Sequence, residues 1–158
     1  MSRASYIQVA EDVKTLLNSA SSGTFSIPFT AARAYAPVNP ASSLNELTVT
    51  VVPVASDGTF ISRDTREKTH DVNVAFRKKL AKAEDATEMD PITYTMEQVE
   101  DYLCGNTAGG ASRRVLATSG GRLLSSKIAP IYDPTVMRDH GVFLGLITLT
   151  YETTKAFR

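Results

Sequence analysis

The chain has 158 residues, of which 42% are hydrophobic, and this is enough for one domain with a sizeable core. Its 17 basic and 17 acidic side chains cancel, which argues against a dedicated nucleic-acid binder, because phosphate contacts require a basic excess. One cysteine excludes an intramolecular disulfide and a cysteine zinc site. No stretch approaches the roughly 20 apolar residues of a membrane span and no apolar signal segment is present, so we expect a soluble, unexported protein.

The N-terminal segment predicts an amphipathic helix that packs on the core. Ser5 and Gln8 have the spacing of a capping box, which favours a helix start at this point. Residues 19–23 are small and polar and predict its end. The apolar stripe comprises Tyr6, Val9, Ala10, Val13, Leu16 and Leu17. The opposite, polar side comprises Gln8, Glu11, Asp12, Thr15 and Asn18.

Three segments in the first half alternate with period two and predict strands. The first covers residues 25–35, where Pro28 indicates an edge or bulged strand because proline cannot donate to a ladder. Residues 47–53 and 70–77 alternate cleanly, as antiparallel strands with one solvated face do.

The connection between the second and third strands, residues 54–69, is too long for a tight turn and too charged for the core. We therefore expect an extended hairpin arm or a mobile loop that stands off the body. Segments of this length are commonly either functional or disordered, and Phe60 and Ile61 favour a functional one, because an exposed apolar pair requires a partner surface.

The second helix is predicted to begin at Asp90 and Pro91, which have the chemistry of an N-cap and a first helical residue. Residues 78–88 before it form a charged linker, and Gly105 is a natural stop. Its buried stripe comprises Ile92, Met96, Val99 and Leu103.

The last third predicts a flexible loop over residues 105–121 and two strands, over 126–132 and 142–151, with a turn at Asp133 and Pro134. The final strand is apolar on both faces in its first half, so we place it inside the sheet. The whole pattern predicts one α+β domain spanning residues 1–158. It contains a mostly antiparallel four- to five-stranded sheet, two main helices packed against it and a long extended arm.

No residue set has the spacing of a catalytic or metal site. The glycine-rich segments lack the lysine of a P-loop and the frame of a nucleophile elbow. His70 and His140 are far apart and have no ligand at metal-binding spacing. Glu97, Glu100 and Asp101 share one helix face, which we interpret as solvated rather than as an acid–base pair. We therefore predict a non-enzyme without cofactor or metal.

Three arginines lie in or beside the small-residue loop: Arg113, Arg114 and Arg122. They could line a DNA path, and solvated loop charge is the competing interpretation.

The order of elements and several short motifs resemble the small neck and tail-completion proteins of long-tailed bacteriophages, most closely the tail terminators. The resemblance covers nearly the whole chain. The motifs are Ala-Arg-Ala-Tyr-Ala-Pro (32–37), Leu-Thr-Val-Thr-Val-Val-Pro (47–53), Ser-Arg (62–63) in a charged loop, the 70–77 strand, an acidic helix, Pro-Ile-Tyr-Asp (130–133) and the 143–151 strand.

This resemblance implies a structural virion protein that forms a ring of six subunits. Such a ring caps the finished tail tube, stops its growth and offers a surface to the filled head. The implied partners are other copies of the chain, the tail tube protein and a head-completion protein, with DNA passing through unread and no membrane. The implied location is the virion neck, after assembly in the host cytoplasm. The predicted subunit or tube contacts are Phe60, Ile61, Arg63, Asp64, Arg66 and Glu67.

Three alternatives stand beside the terminator. The chain could form another neck ring, such as a head-completion stopper. It could be a small-molecule-binding or enzymatic α+β domain, which requires a deep pocket with convergent polar groups. It could also contact DNA without sequence preference through residues 113–127, which predicts affinity that falls steeply with salt.

Overall fold

The computed structural model describes residues 3–36, 44–82, 85–107 and 109–156. Within these residues the elements are α1 (Ser5–Asn18), β1 (Ala31–Arg33), β2 (Thr48–Phe60), β3 (Thr65–Lys79), α2 (Ala86–Cys104), β4 (Arg122–Ile128), α3 (Pro134–His140) and β5 (Val142–Ala156).

The five strands form one sheet in the order β1-β2-β3-β5-β4. β1 runs parallel to β2, and the other pairings are antiparallel. This arrangement confirms the predicted α+β class and its mostly antiparallel sheet. β5 pairs with β3 on one edge and with β4 on the other, so the most apolar strand lies inside the sheet, as its sequence predicts.

The helices bury the core against one face of this sheet. Alternation along β5 places Phe143, Ile147, Leu149 and Tyr151 on that face, where each is fully buried. The helices contribute Val9, Ala10, Val13 and Leu17 from α1, Ile92, Met96, Val99 and Leu103 from α2, and Met137 from α3. Burial of each large apolar side chain stabilises the fold by about 1.5–3 kcal/mol.

α1 has most of the predicted apolar stripe, but Tyr6 is exposed and Ile7 is buried instead, and the predicted capping box is wrong. The N-cap is Ala4, without a side-chain hydrogen bond, and Gln8 Nε2 donates to Asp12 Oδ1 at 3.0 Å instead. Asp12, which we expected on the polar side, is buried because its other carboxylate oxygen accepts the Ser119 backbone N–H at 2.7 Å. A partner 107 positions away decides this burial, so local spacing could not reveal it.

The first predicted strand shrinks to Ala31–Arg33. Pro28 lacks the N–H that a longer ladder would need. The alternating apolar residues before β1 still lie on one side, since Phe25 and Phe29 stack with ring centroids 5.1 Å apart. The side-chain amide of Asn18 holds the start of β1, accepting the Ala31 N–H at 2.8 Å and donating to its carbonyl at 2.9 Å.

α2 begins five residues before the predicted start, with Ala86 rather than Pro91 as its first helical residue. Asp85 is the N-cap, with its carboxylate accepting the Thr87 N–H at 2.9 Å, and Pro91 lies inside the helix. Part of the predicted linker is thus helical. The predicted stop at Gly105 is confirmed, because the helix ends at Cys104.

A short third helix occupies the predicted turn at Asp133 and Pro134. Asp133 caps it by accepting the backbone N–H groups of Thr135 and Val136, and Gly141 closes it in the left-handed conformation with φ 63°. Aspartate followed by proline is also a helix-start signal, which the turn interpretation overlooked.

Residues 54–69 are not a loop, because the sheet continues through them. β2 and β3 pair as far as Phe60 and Arg66, and β5 extends past its predicted end so that Ala156 pairs with Thr65. The result is a three-stranded extension of the sheet formed by residues 55–60, 65–71 and 150–156, which we call the ribbon. A long arm separate from the sheet is not confirmed.

Candidate functional site

The ribbon lies beyond the part of the sheet that the helices cover. Its β2 side chains are exposed, and residues 65–69 of the middle strand are only half-buried, although strands flank them on both sides. Phe60 is 67% exposed and Ile61 in the adjoining turn is 58% exposed. Only the base of the ribbon is enclosed, where His70 is fully buried. The ribbon therefore presents both of its faces.

The strand register gives one face of the ribbon a positive charge. Phe60 pairs with Arg66, which pairs with Lys155, and these side chains point to the same side because directly opposed residues share a face. Lys68 follows two positions after Arg66, on the same side. The ribbon positions on this side bear no carboxylate: they are residues 56, 58 and 60, 66, 68 and 70, and 151, 153 and 155. We call this side the basic face.

The other face of the ribbon is negative. Glu67 lies opposite Thr59, and Asp57 and Glu152 lie on either side of Thr69. Asp71 adds a further carboxylate, which accepts the Thr150 hydroxyl at 2.8 Å. The ribbon positions on this side bear no cation: they are residues 55, 57 and 59, 65, 67, 69 and 71, and 150, 152, 154 and 156. We call this side the acidic face.

The acidic face borders β4, where Arg122 Nη2 lies 3.3 Å from Glu152 Oε2. This exposed pair partly neutralises one end of the face, and the carboxylates of Asp57, Glu67 and Asp71 lie further along it.

Arg66 holds a defined position on the basic face. Its Cζ lies 5.5 Å from the centroid of the Phe60 ring, within cation–π range. Its guanidinium lies against Gly58, where any larger residue would meet it. The buried Nε has no acceptor among the described residues.

His70 closes the base of the ribbon. Its Nδ1 is hydrogen-bonded to Ser56 Oγ at 2.9 Å and its Nε2 to Thr153 Oγ1 at 2.8 Å, so one ring joins all three strands. Burial lowers the pKa of this imidazole, and the charge of Lys68 lowers it further, whereas Asp71 opposes the shift. Both partners are neutral hydroxyls, so the neutral ring fits the site.

The six predicted contact residues all lie at the free end of the ribbon. Phe60 and Arg66 are on the basic face, Glu67 is on the acidic face, and the remaining three occupy the turn, which is closed by a hydrogen bond from the Ile61 N–H to the Thr65 carbonyl. The turn residues of this set are Ile61, Arg63 and Asp64.

Sequence reasoning missed the separation of charge between the two faces. The signal was present in Arg-Glu-Lys (66–68), because alternating charge sign in a strand places each sign on its own face. Lys155 and Glu152 complete the two faces only through the register of β5.

The three loop arginines have separate surroundings. Arg113 Nε donates to the Tyr102 carbonyl at 2.6 Å, and its guanidinium lies 4.1 Å from that ring, so it holds the loop on α2. Arg122 contacts Glu152. Arg114 is exposed, with its Nε 3.4 Å from Ser112 Oγ. A DNA path through these residues stays a prediction.

The other candidate residues are dispersed. His140 is exposed at the end of α3, as are Glu97 and Asp101 on α2, while Glu100 accepts the Ser126 hydroxyl at 2.6 Å. Across the described parts of the chain, no cluster of three or more His, Cys, Asp or Glu side chains could hold a metal ion. A groove of about 440 Å³ separates α1 from residues 107–118, and its buried Asp12 is already hydrogen-bonded within the chain.

No protein-family model matches this chain, and no curated protein matches it. The described helices include none that combines the length and apolar character needed to cross a bilayer. The exposed apolar end and the two charged faces make the ribbon the candidate interaction surface.

Proposed function

We propose that this protein is a phage tail terminator, a homo-oligomeric ring of six copies that caps the tail tube, stops its elongation and joins it to the head. The observation that carries the proposal is the ribbon, a β-structure that extends past the helices and ends in exposed Phe60 and Ile61. An apolar pair at such a position is expected at a protein contact. The sequence resemblance supplies the kind of assembly.

The charge distribution is compatible with a ring through which DNA passes. The chain has no net charge, and on the ribbon the carboxylates and the cations lie on opposite faces. A closed ring requires two different patches on each subunit, because every interface is heterologous. The ribbon end can provide one of these patches, for the neighbouring subunit or for the tube.

Negative-stain microscopy of the protein mixed with tail tubes of the phage that carries it tests this proposal. We expect a ring at one end of each tube and tubes of uniform length when the protein is present during tube assembly. A variant with Phe60→Ser and Ile61→Ser is expected to keep its fold and lose capping. Tyr94→Ser, at an exposed position on α2, is the matched control and should cap normally.

Undecorated tubes would overturn the terminator. The same mixture with DNA-filled heads would then test the head-completion stopper, since a stopper binds heads rather than tails. Steep loss of duplex DNA binding with salt, without binding to either structure, would favour the DNA-contacting alternative.

A further inference from the structure

We propose that the ribbons of neighbouring copies stack, so that the basic face of one copy lies on the acidic face of the next. This inference deepens the ring assembly proposed above by naming its contact, but it concerns self-association and can be tested without tails. The occupant of each face is thus a second copy of the same chain.

Charge complementarity within one element is the first argument. The basic face carries Arg66, Lys68 and Lys155, and the acidic face carries Asp57 and Glu67 over the same length of ribbon. The two faces lie on opposite sides of a single sheet, so they cannot meet within one chain. Stacking of two ribbons brings the basic face of one copy against the acidic face of the other.

Symmetry is the second argument. Contact between basic and acidic faces is heterologous, because the patch given by one copy differs from the patch that receives it. Each copy then keeps one unused face, which a third copy can occupy, and the series closes as a ring when the rotation between copies permits. Two-fold contact of like faces would bring charges of the same sign together.

Apolar burial at the end of the ribbon adds to the electrostatic attraction. Each ribbon strand is about 20 Å long, and packed sheets are separated by about 10 Å, so Phe60 would be covered by the neighbouring ribbon. Exposed ion pairs contribute only about 0–1 kcal/mol each, and salt screens charges separated by more than about 8 Å at physiological ionic strength. Association through these faces is therefore expected to weaken as salt is added.

A charge-swap experiment tests the contact. The basic-face variant combines Arg66→Glu with Lys68→Glu, and the acidic-face variant combines Asp57→Lys with Glu67→Lys. Sedimentation velocity at low and high ionic strength measures the association of each variant alone, of a 1:1 mixture and of the quadruple variant. Controls with Arg114→Glu and Glu97→Lys change exposed charge away from the ribbon.

Wild type and both controls should associate at low ionic strength. Each face variant should associate on the order of tenfold more weakly or worse, because like charges then meet. The 1:1 mixture should regain association, since the unchanged acidic face of one variant meets the unchanged basic face of the other and the two altered faces are again opposite. The quadruple variant should also associate, because its two faces have exchanged sign.

Monomeric wild type under all these conditions would overturn the proposal, as would failure of the mixture to regain association. Binding of wild type to duplex DNA that is lost in the basic-face variant, without any change in association, would assign the face to nucleic acid and also overturn it. Should charge reversal prevent folding, Arg66→Gln with Lys68→Gln takes its place and must weaken association at unchanged thermal stability. Tube capping with an unaltered charge-swap result would leave the proposed function standing and refute only this contact.

Discussion

The guanidinium of Arg66, on β3, occupies the space in which a Cβ atom on Gly58, on β2, would stand. Gly58 pairs with Lys68, two positions along the strands from the pair formed by Phe60 and Arg66. The Arg66 side chain therefore crosses diagonally over the glycine and remains beside the Phe60 ring.

We predict that Gly58→Ala raises the stability of the fold and weakens self-association. The φ of Gly58 is not in the left-handed region, and the atoms that meet the new methyl group belong to the flexible end of an arginine, so the fold tolerates the change. Stability should rise by up to about 1 kcal/mol, because glycine weakens a strand. Displacement of the Arg66 side chain should weaken self-association. Sedimentation velocity measures the association, and urea denaturation measures the stability. Unchanged association with a displaced guanidinium would show that Arg66 is not at the contact.

His70 predicts acid sensitivity of the ribbon. Its folded-state pKa lies below the value of about 6.5 in the unfolded chain, because burial and Lys68 disfavour the charged ring. The contribution of neutral His70 to the free energy of unfolding is thus fully present above the pKa of the unfolded chain and is lost as the pH falls through the pKa of the folded state. The slope of this loss is at most about 1.4 kcal/mol per pH unit.

Urea denaturation between neutral pH and mildly acidic pH measures this loss. The His70→Gln variant should be less stable than wild type at neutral pH and should show a flatter pH profile. His140→Gln, at the exposed histidine, is the control and should keep the wild-type profile. Equal profiles for wild type and His70→Gln would refute the assignment.

Gly145 is required by close packing in the core. A Cβ atom there would lie 2.5 Å from the Ile131 carbonyl oxygen and 2.7 Å from the Met96 side chain. The methionine can move, but the carbonyl belongs to the backbone, so Gly145→Ala should destabilise the fold by about 1–3 kcal/mol. Chemical denaturation beside Gly58→Ala, whose neighbour can move, separates this clash from a general effect of replacing glycine in a strand. Similar stability for the two variants would contradict the prediction.

Arg113 is predicted to act as an anchor of the small-residue loop. Arg113→Ala removes its hydrogen bond to the Tyr102 carbonyl and its contact with the ring, and should cost about 1–2 kcal/mol. Exposed Arg114→Ala should leave the free energy of unfolding within about 0.5 kcal/mol of wild type. If both variants instead retain full stability and weaken DNA binding equally, the loop arginines line a DNA path.

The sequence alone determined the elements whose signal is local alternation. The period-two pattern of β2, β3 and β5 and the apolar stripe of α1 follow from which side chains avoid water, so the sequence locates these elements, although all three strands extend beyond their predicted ends into the polar ribbon. The same logic identified Phe60 and Ile61 as an exposed pair, because they interrupt a charged segment.

Tertiary structure decided the features whose partners are distant in sequence. The burial of Asp12 depends on Ser119, and the position of Glu100 depends on the hydroxyl of Ser126 on β4. A pattern of residue types carries no information on such pairings, because each hydrogen bond needs a partner that only the folded chain brings near.

The ribbon depends both on local alternation in the sequence and on the tertiary pairing of its strands. The alternation of Arg66 and Glu67 is visible in the sequence, but it assigns them to opposite faces only because the structure places both in β3, where adjacent residues point to opposite sides. Only the register between β3 and the end of β5 placed Lys155 beside Arg66, and Glu152 on the side of Glu67. Pairing with β3 makes the polar end of β5 the third strand of the ribbon, and this strand completes both charged faces.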